Sequence, residues 1–186
     1  MLAAIVLAAG AGRRFGGGKM SALFEGVPLV HHAIAAACAS PAEAVYVVVG
    51  DDALAANVLR LGKAEVVLAS KDSDGMAASL RAGIEALPDA CTGALIFLGD
   101  MPRVPIDVAQ ELVEAVQGDI IAAAPIIGER SGHPVLFARA AFSDLLALKG
   151  DVGAKSVLKA LGGRVRYVPI ADEGALFDVD TPEDLA

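Results

Sequence analysis

Short, almost continuous apolar runs punctuate the chain, separated by stretches in which apolar residues recur every three or four positions. In the first half the runs cover residues 3–7, 44–49, 65–68 and 93–98. Runs of that length bounded by turn residues predict buried strands. Helical spacing covers 29–39, 52–61 and 76–87 between them. It returns over 106–116, where Ile106, Ala109, Leu112, Val113 and Val116 share one face. Strands alternating with helices imply βαβ units, right-handed crossovers and a mostly parallel sheet.

The second half is less regular. Residues 120–124, 134–137, 165–168 and 175–178 read as strands, and 142–148 and 154–161 as helices. A last helix is predicted from Pro182, with Thr181 as N-cap and Asp184 completing a capping-box pattern. No repeat, low-complexity segment or linker interrupts the pattern, so residues 1–186 read as one domain.

Composition narrows this picture. Hydrophobic residues make up 55% of the chain, yet there are six Phe, two Tyr and no Trp, so the core must be built from Ala, Val, Leu and Ile. The net charge of −8, with no basic stretch, argues against a nucleic-acid partner. Cys38 and Cys91 sit in apolar segments without metal-ligand spacing and read as buried small hydrophobes in a reducing compartment. The N-terminus is apolar first and basic after, the reverse of a secretory signal. No apolar run reaches the roughly 20 residues of a membrane span. A soluble, cytoplasmic protein with no membrane partner is the expectation.

In open α/β sheets, ligands bind at the carboxyl ends of the strands, and the unusual residues of this chain cluster in the loops predicted there. Residues 7–20 read LAAGAGRRFGGGKM, five glycines around Arg13, Arg14 and Lys19. Such a loop, rich in backbone N–H groups and carrying three cations, suits a polyphosphate. It is not a Walker A loop, because Lys19 is followed by Met20. Nor is it a dinucleotide fingerprint: Gly10 and Gly12 begin one, but Phe15 holds the third glycine position and no acidic residue occurs over 28–34.

The loop resembles the signature of the MobA-like nucleotidyltransferases, and within them of the molybdenum cofactor cytidylyltransferases. The resemblance implies a three-layer α/β/α fold, a mostly parallel Rossmann-like sheet of the nucleotide-diphospho-sugar transferase type. It assigns Leu7, Ala8, Ala9, Gly10, Gly12, Arg13 and Lys19 to the nucleotide, with Arg13 and Lys19 neutralising the triphosphate. Phe15 stands where the family usually has Met, an apolar exchange of little consequence.

Further motifs follow in the family's order. Gly99-Asp100-Met101-Pro102 resembles its GDxP motif, in which the aspartate holds Mg²⁺, a hard cation suited to carboxylate oxygens. Residues 178–185 (DVDTPEDL) resemble the closing run that supplies a second carboxylate, which falls on Asp178 or, alternatively, Asp180. Gly75 and Ser79, in a GM..SL..G segment, are implied to border base and ribose. His133, in SGHP, and Lys155, in GDVGAK, fall on the acceptor side. His31 and His32 are adjacent on a predicted helix and point apart, which makes them structural rather than a metal pair.

The implied reaction transfers a nucleoside monophosphate from an NTP to a phosphorylated acceptor with release of pyrophosphate. Ala9 gives LAAG, as in the cytidylyl branch, where the guanylyl branch reads LAGG; this points to CTP. The leading acceptor is molybdopterin or its molybdenum form, with a molybdoenzyme as an eventual partner. Two alternatives remain open: a sugar- or alditol-phosphate nucleotidyltransferase, and a non-catalytic molybdopterin-binding chaperone.

Overall fold

In a computed structural model of the chain, residues 1–10, 12–50, 54, 63–69 and 75–185 are described, with Arg13 described by its backbone alone. Their strands are β1 (Leu2–Leu7), β2 (Leu23–Phe24), β3 (Val27–Pro28), β4 (Ala44–Val49), β5 (Ala64–Leu68), β6 (Gly93–Leu98), β7 (Ala122–Ile127), β8 (Arg130–Ser131), β9 (Val135–Ala138) and β10 (Val165–Pro169). The helices are α1 (Leu29–Ala39), α2 (Met76–Glu85), α3 (Val108–Ala115), α4 (Phe142–Leu146) and α5 (Ala154–Leu161). The helix predicted over 52–61 lies outside the described residues except for Leu54, which is buried.

Eight strands form one sheet in the order β10-β7-β9-β6-β1-β4-β5, with β8 paired to β7. β1 lies parallel to both β4 and β6, β4 to β5, and β10 to β7. β9 alone runs against its two neighbours in the body of the sheet. Its amino end therefore meets the carboxyl end of β6, and His133 arrives beside Leu98 at the rim.

Strand alternation builds the three layers. Ala4, Val6, Val45, Val47, Leu95 and Phe97 face one side with α1 and α3. Ala3, Ile5, Leu7, Val48, Ile96 and Phe137 face the other with α2, α4 and α5. Successive side chains of a strand point to opposite faces, so a strand covered by helices on both faces must be apolar throughout. The small residues set the layer spacing. A Cβ on Gly83 would stand 2.7 Å from Ile5 Cγ2, so α2 rests directly on β1.

The differences from the sequence reading are local. The strand predicted over 175–178 is a 3₁₀ turn, Glu173–Leu176, followed by irregular chain; the helix predicted from Pro182 is a 3₁₀ turn, Pro182–Leu185. In the last turn Asp184 accepts hydrogen bonds from the N–H groups of Asp180 and Thr181 at 3.0 and 2.8 Å and from the Thr181 hydroxyl at 3.1 Å. The acid thus reaches back as in a capping box, but the Thr181 hydroxyl donates to it instead of capping the backbone. Two tight hairpins, β2–β3 and β7–β8, have no counterpart in the periodicity. No helix among the described residues is long and apolar enough to cross a membrane.

Gly75 opens α2 at φ 92°, and a Cβ there would come within 2.5 Å of the Gly150 carbonyl oxygen. Gly163 has open space around it and an ordinary φ. Gly75→Ala is therefore expected to cost about 2 kcal/mol or more, and Gly163→Ala no more than about 0.5 kcal/mol, in urea unfolding.

Candidate active site

Three loops at the carboxyl rim are knitted together by their backbones. The Gly99 N–H donates to the Leu7 carbonyl at 2.9 Å, joining the exits of β1 and β6. The Val179 N–H donates to the Asp100 carbonyl at 3.0 Å, drawing the C-terminal segment onto the loop after β6. The Val179 side chain is fully buried with Phe24 and Leu29. Asp178 and Asp180, one residue to either side, are left to the polar side of that segment.

The glycine-rich loop closes over them. Two 3₁₀ turns, Arg13–Phe15 and Lys19–Ser21, carry its cations. Gly18, left-handed at φ 65°, sets up the second turn, which buries Lys19 and Met20. Lys19 is only 7% exposed. Its Nζ lies 2.7 Å from Asp100 Oδ2 and 3.6 Å from Asp180 Oδ1. Arg14 Nη1 reaches the other oxygen of Asp180 at 2.6 Å. The Arg14 contact is solvent-exposed and worth at most about 1 kcal/mol. Lys19 differs: its ammonium is buried, so losing Asp100 would leave a charge withdrawn from water without its nearest partner.

Negative charge gathers around this lysine. Asp178 titrates above the usual carboxylate range, first because of partial burial and then because Asp180 and Asp100 lie near; Lys19 opposes the rise. Asp184 titrates low, held ionised by the N–H groups of Thr181 and Asp180.

Beside this cluster, a cleft of about 350 Å³ is lined by Arg130, His133, Lys155, Asp178 and the apolar Leu98 and Met101, among others. His133 and Lys155 thus share one cavity wall system with Asp178. The His133 N–H donates to the Ala175 carbonyl at 3.0 Å. Burial, and secondarily the Lys155 ammonium, pushes His133 down to about 4. At neutral pH its ring is uncharged and cannot serve as a counter-charge.

The remaining predicted residues divide. Leu7 and Ala8 are core side chains, and the Leu7 carbonyl and Ala8 N–H are engaged by Gly99 and Val48. Ala9 is half-buried and Gly10 exposed where the loop opens. The Gly12 carbonyl accepts from the N–H groups of Phe15 and Gly17, shaping the loop. Gly75 abuts Gly150 and Asp151, and Asp151 Oδ1 accepts the Met76 N–H at 3.3 Å. The segment assigned to base and ribose is thereby fastened to the segment carrying Lys155. Ser79 lies one turn further along α2, half-buried. His32 Nε2 bonds the Phe24 carbonyl at 2.9 Å, and the lowered titration of His31 follows from burial and then His32. Neither faces the rim cluster. The sequence reading missed Arg14 as a partner of Asp180 and missed Arg130. Both lie next to residues it had singled out.

A MobA-like NTP transferase domain model matches residues 4–165. The chain belongs to that family. Among its relatives, the nicotine blue oxidoreductase of Paenarthrobacter nicotinovorans is 31% identical over 193 residues, covering 97% of this chain and 93% of the relative. The 2-C-methyl-D-erythritol 4-phosphate cytidylyltransferase of Streptomyces avermitilis is 32% identical over 133 residues, 67% of this chain. The chain spans about half of that enzyme, 53% of its length. Among solved structures, the Mycobacterium sp. strain JC1 homolog of Mycobacterium tuberculosis Rv0371c superposes with a TM-score of 0.83 at 27% identity, covering 98% of this chain and 92% of that one. The three-layer, mostly parallel sheet is the architecture this MobA-like domain shares with that neighbour.

The buried His133 gives a pH signature. Unfolded, it binds a proton below about 6.5; folded, it does so only near about 4. Its contribution to stability is complete above the unfolded value and is lost as pH falls from about 6.5 towards about 4. Urea unfolding from pH 7 to 4.5 is expected to show a decline in stability that is shallower in His133→Gln.

Proposed function

We propose that this MobA-like protein transfers CMP from CTP to a phosphorylated acceptor and releases pyrophosphate, with a molybdopterin-type acceptor as the leading reading. One observation carries it: Lys19, from the glycine-rich loop, meets Asp100 and Asp180 at the exits of the strands where nucleotide phosphates bind in such sheets. A cation suited to a polyphosphate thus lies beside two carboxylates of the kind that could hold a hard metal, which supports the reading.

The donor set fits Mg²⁺. Among the described residues no group of three or more His, Cys, Asp and Glu side chains forms a protein-only metal cage. Mg²⁺ is ordinarily bound by one or two carboxylates together with substrate phosphates, and Asp100 and Asp178, with Asp180 as the alternative, would supply them. Bound there, the metal would neutralise charge on the α-phosphate and the leaving pyrophosphate. Lys19 and Arg13 would take β- and γ-phosphate oxygens, and Lys155 would orient the acceptor phosphate. An oxygen of that phosphate attacks the α-phosphorus, and the pyrophosphate departs with the bonding pair. The nucleophile is already anionic, so no general base is needed, which agrees with an uncharged His133 that hydrogen-bonds the acceptor. Arg130 would add a second cation near it. A cytoplasmic setting and delivery of the product to a molybdoenzyme follow from the same reading.

Two relatives favour other acceptors or chemistry. The Streptomyces enzyme is named for an alditol phosphate acceptor, which supports the alditol-phosphate alternative. The relative that spans nearly the whole chain is named as an oxidoreductase; against redox chemistry stands the interrupted dinucleotide fingerprint, with Phe15 at its third glycine position. A non-catalytic molybdopterin chaperone is separated from both by turnover.

The test is a matrix of NTPs against molybdopterin and alditol phosphates scored by pyrophosphate release, with NADH oxidation followed in parallel. CTP is expected to outperform GTP, and Ala9→Gly to narrow the gap; a preference for GTP, or NADH oxidation without pyrophosphate release, would overturn the assignment. Asp100→Asn and Asp178→Asn are each expected to lower kcat by about 10²-fold or more, and the double variant by little beyond that. If Asp180→Asn is crippled and Asp178→Asn is not, the second ligand moves by two positions. Lys19 is buried, so Lys19→Met, which fills its space, is the variant for testing triphosphate affinity.

A further inference from the structure

Arg103 lies just beyond the Asp100 loop, outside every motif used above, and three separate segments meet on it. Its guanidinium carbon stands 5.1 Å from the centroid of the Phe24 ring and 4.7 Å from that of Phe177. The two rings are 6.1 Å apart and tilted by 45°. Arg103 Nη2 also lies 3.4 Å from Glu25 Oε1 at the tip of the β2–β3 hairpin. On the backbone side, a Cβ on Gly174 would collide with the Arg103 carbonyl oxygen, so the Glu173–Leu176 turn is seated on this residue.

Phe177 directly precedes Asp178, and the next residue, Val179, is tied to the Asp100 carbonyl at 3.0 Å. Phe24 is itself held, with His32 bonded to its carbonyl and its ring edge-on to the imidazole at 5.4 Å. A chain of contacts thus runs from α1 through His32, Phe24, Arg103 and Phe177 to the carboxylates. Arg103 is 52% exposed at the side chain, so it adds little to the apolar core. A planar guanidinium set over two adjoining rings is directional in a way that apolar burial is not.

We propose that Arg103 is a positioning residue: its guanidinium, held against the rings of Phe24 and Phe177, fixes the 177–180 segment so that its carboxylates meet Asp100 across Lys19. The inference rests on the nucleotidyl-transfer reading of that cluster. Arg103 touches neither nucleotide nor metal in this role. It acts through Phe177.

The test measures Mn²⁺ binding in the presence of saturating CTP by electron paramagnetic resonance, CTP affinity without metal, and thermal midpoint, on the full chain. Arg103→Ala is expected to weaken Mn²⁺ on the order of tenfold or more, because a displacement of about 1 Å at such a site is costly, while metal-free CTP affinity and the thermal midpoint stay near wild type. Arg103→Lys, which keeps the charge but not the plane, should recover only part of the loss. Phe177→Leu should reproduce the defect, and the Arg103→Ala/Phe177→Leu double variant should add little to it. Unchanged Mn²⁺ binding in Arg103→Ala would overturn the proposal, as would a loss that tracks the thermal midpoint and CTP affinity together. A wild-type protein that binds no CTP with Mn²⁺ would instead overturn the nucleotidyl-transfer reading, and this proposal with it.

Discussion

The rim of this protein is organised around one buried ammonium group. Lys19 is almost wholly withdrawn from water and lies between carboxylates from loops 81 and 161 residues away in sequence (19 to 100 and 19 to 180). A lone ammonium at that depth would be strongly disfavoured, so it is Lys19 that needs the carboxylates, which themselves keep access to water. The glycine-rich loop is therefore electrostatically incomplete without the other two. The 177–180 segment has no regular secondary structure to hold it; a backbone bond to Asp100, the apolar seat of Val179, the Arg103 guanidinium against Phe177 and this shared cation are among the contacts that do so instead.

Such a device needs a rigid base, and the sheet provides it. β1 is central, flanked by parallel β4 and β6, and its residues are divided almost evenly between the two cores. The small side chains of these strands let α2 approach as closely as Gly83 permits. The loops after β1 and β6 then leave from neighbouring, fully paired strands, and their relative placement is fixed by the Gly99–Leu7 hydrogen bond.

The parts of this arrangement governed by local pattern were legible in the sequence. The apolar runs located the long strands to within three residues, and helical spacing located α1 and α5 to the residue. The loops bearing Lys19 and Asp100 could be read as neighbours because parallel strands send their carboxyl ends to one rim, whereas Asp178 was placed beside them by the family motif and not by a strand. What failed had other physical causes. Residues 175–178 carry a strand's composition, but Gly132 and Arg103 press on that stretch from two sides and turn it. The β2–β3 hairpin is too short for periodicity, although Glu25 and Gly26, at φ 52° and 82°, form the tight turn that an x-Gly pair permits. The burial of Lys19 and the partnership of Arg14 with Asp180 depend on contacts between chain ends, which no local pattern encodes.

The reversed course of β9 has a consequence for how this scaffold varies. The loops after the parallel strands β1 and β6 lead into crossovers, so lengthening one of them would crowd the rim around Lys19 and Asp100. β7 instead turns back through a tight hairpin onto β8 and, further along, onto β9, with Gly128 and Glu129 at the tip and Glu129 lining the cleft. Residues added there would reshape the cleft beside His133 and Lys155 while the loops after β1 and β6 kept their length. The antiparallel seam between β6 and β9 thus separates a rim whose loops are locked to one another from a hairpin that could change without disturbing them.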